Sequence, residues 1–204
     1  MTAICSVVDD DAGVLDATAS LLRSKGIAAI AYPSAELFLD APVTLGCIVS
    51  DIRMPGLSGL DLLRTLRARF DARPVIFATG YADVRTAVWA TQNGAFDYVE
   101  KPCDYEQLTK TVKAALKRSD EHHETMASLA MVNKRFGDLT DRQKEVMFLT
   151  VRGFSSKEAT RHLSISPRTV ETYRFLVMHK MEVKSLAELI RVHDQLKSIE
   201  AFRK

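Results

Sequence analysis

The sequence predicts two domains of different class. The first is an α/β domain on a doubly wound, five-stranded parallel sheet; the second is a smaller all-α domain of four helices. Three observations carry this. Up to about residue 118, short apolar runs alternate five times with segments of helical period. The strand-like runs are apolar nearly throughout, as expected of strands buried on both faces. After Gly137 four short helical stretches follow, each preceded by a hydroxyl residue at a capping position.

Taken in order, the β-prone run 4–8 (ICSVV) ends on Asp9-Asp10-Asp11. Val14, Leu15, Ala19 and Leu22 give residues 12–25 a helical period that Gly26 stops. A strand is expected over 27–31 and a short helix from Pro33 carrying Leu37 and Phe38. Cys47–Val49 forms the next strand, leading to Asp51 and to the turn-forming Met54-Pro55-Gly56. Helix 60–70, strand 74–78 reaching Thr79, helix 84–92, strand 95–99 and a helix from Tyr105 complete the first domain.

Composition excludes several classes. The 204 residues are 47% hydrophobic and 26% charged, ordinary for a soluble globular protein, and no apolar run reaches the length of a membrane span. The first residues, MTAICSVVDDD, lack the basic start of a secretion signal, so a cytoplasmic location is expected. Cys5, Cys47 and Cys103 form an odd set without metal-ligand spacing and read as reduced thiols. No GxxxxGKS, GxxxxGKT or GxGxxG follows the first strand, which removes the phosphate cradle of nucleotide pockets. Charge is uneven: residues 1–120 hold 13 basic and 15 acidic side chains, residues 121–204 hold 15 and 11. A basic second half suits a polyanionic partner.

A parallel sheet brings together the residues that follow its strands. Here these are Asp9 and Asp10, Asp51, Thr79 and Lys101. Three carboxylates suit Mg²⁺, which takes a few carboxylates plus waters, and Asp51 is left as a nucleophile. Thr79 and Lys101 are placed to hydrogen-bond and pair with a phosphoryl group on it. The competing reading is a solvated acidic rim at the strand ends.

At these residues the chain resembles a known family. VVDDD (7–11), SDIRMPGLSG (50–59), PVIFATGYAD (74–83) and YVEKP (98–102) resemble the receiver domain of two-component response regulators, over residues 1–118. The resemblance implies a flavodoxin-like fold, with Asp51 as phosphoacceptor and Asp9, Asp10, Asp51 and the main-chain carbonyl of Arg53 as Mg²⁺ ligands. It also implies Thr79 as switch hydroxyl, Lys101 as the conserved ammonium, a cis bond between Lys101 and Pro102, and Tyr98 as the aromatic switch. Taken alone, Tyr98 also reads as a half-buried strand tyrosine. The implied output surface runs from the helix at 83–93 across the strand at 95–99 to the last helix. Trp89 lies there and fits a core position as well as an interface.

Residues 119–136 contain neither Pro nor Gly and continue the helical pattern, so a helical linker is expected. His122 and His123 are adjacent, a poor metal pair on a helix. From 137 to 204, helices are expected at 141–151, 155–163, 167–181 and 185–198, with capping boxes at Thr140/Gln143, Ser155/Glu158 and Ser185/Glu188 and the pair Ser166-Pro167 opening the third. The short link Leu163-Ser164-Ile165-Ser166 is that of a helix-turn-helix. Val170, Val177 and Met181 form an inward stripe on the third helix, leaving Arg168, Glu171, Thr172, Arg174 and Phe175 off it. Outward side chains near that helix's start suit base edges, and Lys157, Arg161 and Arg174 suit phosphates. Without a resemblance, a four-helix protein-interaction domain remains open.

LTDRQKEVMFL (139–149), GFSSKEATRHLSISPRTVETYR (153–174) and KSLAEL (184–189) resemble the LuxR-type DNA-binding domain. DNA contacts are thereby expected from Lys157, Ser166, Arg168, Thr169, Glu171, Thr172, Arg174 and Phe175, with dimerisation through the last helix. Ala159, Tyr173, Phe175 and Leu176 depart from the family pattern. The two domains together are similar to the FixJ/NarL class. The resemblance implies phosphorylation of Asp51 by a sensor histidine kinase, homodimerisation, binding to double-stranded promoter DNA and contact with RNA polymerase, without turnover of an outside substrate. The alternative is a DNA-binding regulator whose dimerisation does not depend on Asp51; a phosphohydrolase on the same fold is a third.

Overall fold

The computed structural model describes residues 3–80 and 84–202. Tyr81, Ala82 and Asp83 of the 74–83 motif lie outside the described residues. The chain divides into two compact units, 1–123 and 124–204.

In the first unit β1 (Ile4–Val8), β2 (Ala29–Tyr32), β3 (Gly46–Ser50), β4 (Val75–Thr79) and β5 (Asp97–Glu100) form a parallel sheet in the order β2-β1-β3-β4-β5. Side chains alternate between two cores. Cys5, Val7, Cys47, Val49, Ile76, Ala78 and Val99 pack on α1 (Ala12–Ser24) and on the start of α5 (Tyr105–Gly137) through Leu15, Leu22, Leu108 and Val112. Val8, Ile48, Val75 and Phe77 pack on α2 (Ala35–Asp40), α3 (Gly59–Ala68) and α4 (Val84–Gln92) through Phe38, Leu62, Leu66 and Ala90. The unbroken apolar runs are thus strands covered on both faces.

Element ends differ from expectation for local reasons. The short helix α2 starts at Ala35 rather than Pro33 because Ser34 is extended and its hydroxyl accepts from the Leu37 amide at 3.3 Å. Strand β2 starts at Ala29 because Ile27 donates its amide back to Leu22 and still belongs to the end of α1, after Gly26 at φ 76°. Strand β5 starts at Asp97 because Gly94 turns left-handed and Ala95 donates to Ala90. Helix α3 gives way at Arg69 to Phe70, which adopts φ 57°.

The second unit takes α6 (Asp141–Val151), α7 (Ser156–Leu163), α8 (Pro167–Lys180) and α9 (Leu186–Phe202), together with the end of α5. Capping boxes form at Thr140/Gln143 and Ser155/Glu158. At Ser185 the box is displaced: the Ser185 hydroxyl accepts from the Glu188 amide, but the Glu188 carboxylate accepts from Lys184 rather than from Ser185. Val132, Leu139, Met147, Val177, Met181, Leu189 and Leu196 form one core, and Val146, Ala159, Leu163 and Val170 a second. Among the described residues no helix is long and apolar enough to cross a membrane.

Between α3 and β4 the Arg73 guanidinium grips the Asp71 carboxylate through Nε and Nη2, at 2.9 and 2.6 Å to Oδ2. Burial pushes the Asp71 carboxyl up, but hydrogen bonds from the Arg73 side chain and amide, with the charges of Arg73 and Arg67, hold it below the usual aspartate range. A lowered folded-state pKa means stability that is present above the unfolded value and lost as pH falls through the folded one. Asp71→Asn should therefore cost about 1–2 kcal/mol at pH 7 and progressively less as pH falls below the unfolded aspartate value, measured as the difference in urea unfolding between variant and wild type across the acid range.

Candidate functional site

Parallel pairing of β1 with β3 sets Val8 opposite Ser50, so the next residues, Asp9 and Asp51, emerge together at the carboxyl edge, where the strand order reverses. Both are nearly buried. Lys101, just after β5, reaches back between them: its Nζ lies 2.6 Å from Asp9 Oδ2 and 3.0 Å from Asp51 Oδ1. The remaining carboxylate oxygens are held by the backbone, Asp9 Oδ1 by the Asp11 amide at 3.0 Å and Asp51 Oδ2 by the Arg53 amide at 2.6 Å. Burial would lower the Lys101 pKa; the hydrogen bonds and charges of Asp9 and Asp51 outweigh it and hold the ammonium above the ordinary lysine value. The Lys101–Pro102 bond is cis.

The hydrogen-bonded group is therefore Asp9, Asp51 and Lys101. Asp10 is exposed at the start of the β1–α1 turn. Thr79 ends β4, fully buried, and its carbonyl accepts from the Lys101 amide at 2.8 Å. Tyr98 is half-buried against the core on the α3 and α4 side. Trp89 packs on the same core, with the Arg64 guanidinium 4.7 Å from its ring centre. Arg53 is exposed beside Asp51.

Among the described residues no group of three His, Cys, Asp or Glu is assembled to hold a metal ion, so the set expected from the sequence is not ready-made. The donor chemistry nevertheless fits a cation. Two carboxylates already converge on one positive charge, and Asp10 and the Arg53 carbonyl are oxygen donors beside them.

Three further residues shape this edge, two of them inside the 50–59 motif and one, Glu36, outside every motif. The Ser50 hydroxyl donates to the Asp51 carbonyl at 2.8 Å. Gly59 lies so close to Asp51 that a Cβ there would sit 2.1 Å from the Asp51 carbonyl oxygen. Glu36, from α2, accepts the Leu57 amide at 2.8 Å across 21 positions of chain. Polar residues in motifs can be read from sequence; a backbone contact from a distant helix cannot.

In the second unit Ser164 takes φ 53° and turns the chain from α7 into α8. Exposed Arg168, Glu171, Thr172 and Phe175 form a stripe on α8 opposite the buried Val170, Val177 and Met181. Lys157 is exposed in the first turn of α7. Others of the expected contacts are engaged within the protein. Ser166 caps α8, its hydroxyl accepting from the Thr169 amide at 3.1 Å and lying 2.8 Å from the Thr169 hydroxyl. Half-buried Arg174 donates to the Ser156 hydroxyl at 3.2 Å, bridging α8 to α7, and the Thr172 hydroxyl donates to the Arg168 carbonyl. Phe175 is 68% exposed.

The family model of the response regulator receiver domain matches residues 5–113, and that of bacterial regulatory proteins of the luxR family matches residues 138–193. The chain belongs to the response regulators. Its pairing of domains is that of the FixJ/NarL class, which makes it a phosphorylation-dependent, DNA-binding transcription regulator of a two-component system. This response regulator is 46% identical over 188 residues to the transcriptional regulatory protein FixJ of Azorhizobium caulinodans, covering 91% of this chain and 89% of that one. It is 35% identical over 193 residues to the response regulator protein TodT of Pseudomonas putida, covering 94% and 85%. Among solved structures it matches response regulator StyR with a TM-score of 0.88 at 32% identity, over 96% of this chain and all of that one. Full-length FixJ from B. japonicum matches with a TM-score of 0.59 at 37% identity, over 96% and 97%.

The ammonium between two carboxylates makes a prediction about this response regulator. Lys101→Ala leaves Asp9 and Asp51 facing each other with only the Asp11 and Arg53 amides to offset their charge, and should lower stability in metal chelator by about 1–3 kcal/mol. Added Mg²⁺ should raise the melting temperature of the variant more than that of wild type, as read by calorimetry with and without the ion.

Proposed function

We propose that Asp51 of the receiver domain, residues 1–118, takes a phosphoryl group from a phosphohistidine of a sensor histidine kinase. The observation that carries this reading is the Lys101 Nζ held between Asp9 Oδ2 and Asp51 Oδ1 at the carboxyl edge of the sheet. An Asp51 carboxylate oxygen attacks phosphorus, the phosphorus–nitrogen bond breaks, and its electron pair leaves with the imidazole, giving an acyl phosphate on Asp51. Asp9, Asp10, Asp51 and the Arg53 carbonyl would hold Mg²⁺, which would supply positive charge to lessen the repulsion between the carboxylates and the incoming phosphoryl oxygens. The Arg53 amide steadies Asp51 for the attack. Lys101 then pairs with the phosphoryl group and Thr79 hydrogen-bonds it. With Thr79 drawn toward the phosphate, Tyr98 follows inward, and the receiver surface changes. Catalysis is confined to the protein's own aspartate, with no outside substrate turned over.

The altered receivers pair two copies of the chain. Residues 119–136 form the helical linker, and the LuxR-type domains, 137–204, dimerise through α9 and bind promoter DNA. Two weak DNA contacts joined in a dimer gain effective concentration, so phosphorylation controls occupancy without any new contact to DNA. Arg168, Glu171, Thr172 and Phe175 face bases, with Thr169 beside them. Lys157 and Arg174 face phosphates, and Ser166 sets the helix start from which the others project. The bound dimer contacts RNA polymerase, and the protein works in the cytoplasm.

Incubation with Mg²⁺ and acetyl phosphate tests the first half. Wild type should be modified at Asp51 by mass spectrometry and should bind its DNA at least about tenfold tighter. If Asp51→Ala and wild type bind DNA equally under these conditions, phosphorylation control is wrong. For the second half, Arg168→Ala and Thr172→Ala should each cost about 1–3 kcal/mol on the preferred site and relax its sequence. Lys157→Ala should weaken all sequences equally and reduce the slope of log affinity against log salt by about one.

A further inference from the structure

We infer that Glu36, on α2, is a positioning residue for phosphorylation: its carboxylate clamps the β3–α3 loop so that Asp51 and the Arg53 carbonyl stand ready for Mg²⁺. The inference rests on the reading of Asp51 as phosphoacceptor and adds a residue that neither the acidic pocket nor the receiver motifs contain.

The loop from Asp51 to Ser58 has no regular structure of its own. Buried Ile52 and Met54 plug it into the core on one side, and Asp51 and Arg53 belong to the site on the other. Beyond Met54 the chain must turn through Pro55 and Gly56 before Ser58 caps α3. Over this turn the loop is gripped from outside by Glu36, whose Oε1 accepts the Leu57 amide at 2.8 Å. The grip is close. Gly56 has φ 75°, and a Cβ on it would stand 2.4 Å from the same Oε1, so the carboxylate occupies space that only glycine leaves open.

Glu36 is itself well placed to act as a fixed point. It lies in the first turn of α2, between the cap Ser34 and the buried Phe38, which meets Tyr32 of β2 edge-on at 5.3 Å. Its carboxyl is held below the ordinary glutamate value, first by the Leu57 amide and then by its own amide and the Ser34 hydroxyl. Mg²⁺ demands near-ideal octahedral geometry, so a loop that wanders by an ångström loses the ion. An amide held from α2 removes that freedom beforehand, which lowers the entropy lost when the ion binds.

The clamp needs an acceptor oxygen rather than a negative charge, so Glu36→Gln should keep it and Glu36→Ala should lose it. In metal-free protein, hydrogen exchange at the Leu57 amide should quicken at least about tenfold in Glu36→Ala and stay within about threefold of wild type in Glu36→Gln, while Ile48 and Ile76 exchange as in wild type. By calorimetry the Mg²⁺ dissociation constant should rise about five- to tenfold in Glu36→Ala alone. The inference is overturned if Glu36→Ala binds Mg²⁺ like wild type, if Glu36→Gln fails as badly, or if the sheet amides quicken as much as Leu57. Failure of wild type itself to bind Mg²⁺ or take up phosphoryl from acetyl phosphate would instead overturn the reading of Asp51.

Discussion

Two carboxylates that the backbone forces together set the terms for the first unit. Parallel pairing of β1 and β3 delivers Asp9 and Asp51 to one spot, and both reach within 3.0 Å of a single nitrogen. Two unit charges so close repel by about 3–4 kcal/mol at an effective dielectric of about 20. The structure offsets that repulsion with the Lys101 ammonium and two backbone amides. The arrangement is electrostatically poised. Its acids share one cation between them, and any ligand that brings its own charge redistributes the contacts. That is the physical property a phosphorylation switch requires of its receiving end.

The scaffold around this group leaves little slack. Both faces of the sheet are packed, and the residues beneath the site, Val8, Ile48, Val49 and Phe77, are essentially excluded from water. The edge of the sheet is closed by backbone approach rather than by side chains alone: Gly59 lies against the Asp51 carbonyl and Gly56 against the Glu36 carboxylate. The Gly59 contact fixes the loop carrying Asp51, because an added methyl group there would collide with backbone, whereas at Gly56 it would displace the end of the Glu36 side chain.

The second unit solves a different problem by different means. Its helices run from 8 to 17 residues, and each start is closed by a hydroxyl: Thr140, Ser155, Ser166 and Ser185. This is why Ser166 has two duties. It ends the turn at Ser164 and Ile165 and fixes where α8 begins, and the exposed stripe of Arg168, Glu171, Thr172 and Phe175 is aimed accordingly. Arg174, attractive from sequence as a phosphate contact, also braces α8 on α7 through Ser156.

The sequence by itself determined the layers, the order of elements and the acidic edge, because these follow from local rules. Apolar runs mark buried strands, the 3.6-residue period marks helices, and residues after parallel strands share one edge. The capping serines and threonines were legible for the same reason. Tertiary structure alone decided what depends on distance in space. The link from Lys101 to Asp9 spans 92 positions, and the clamp from Glu36 to Leu57 joins a helix to a loop with which it shares no motif. The strands expected from Ile27 and Ala95 begin at Ala29 and Asp97 because Ile27 and Ala95 donate their amides back to the preceding helices, so hydrogen-bond partners rather than propensity set the boundary. The candidate phosphoacceptor was visible as a residue; the balance of charge and backbone contacts that prepares it was not, since that exists only when five distant segments meet.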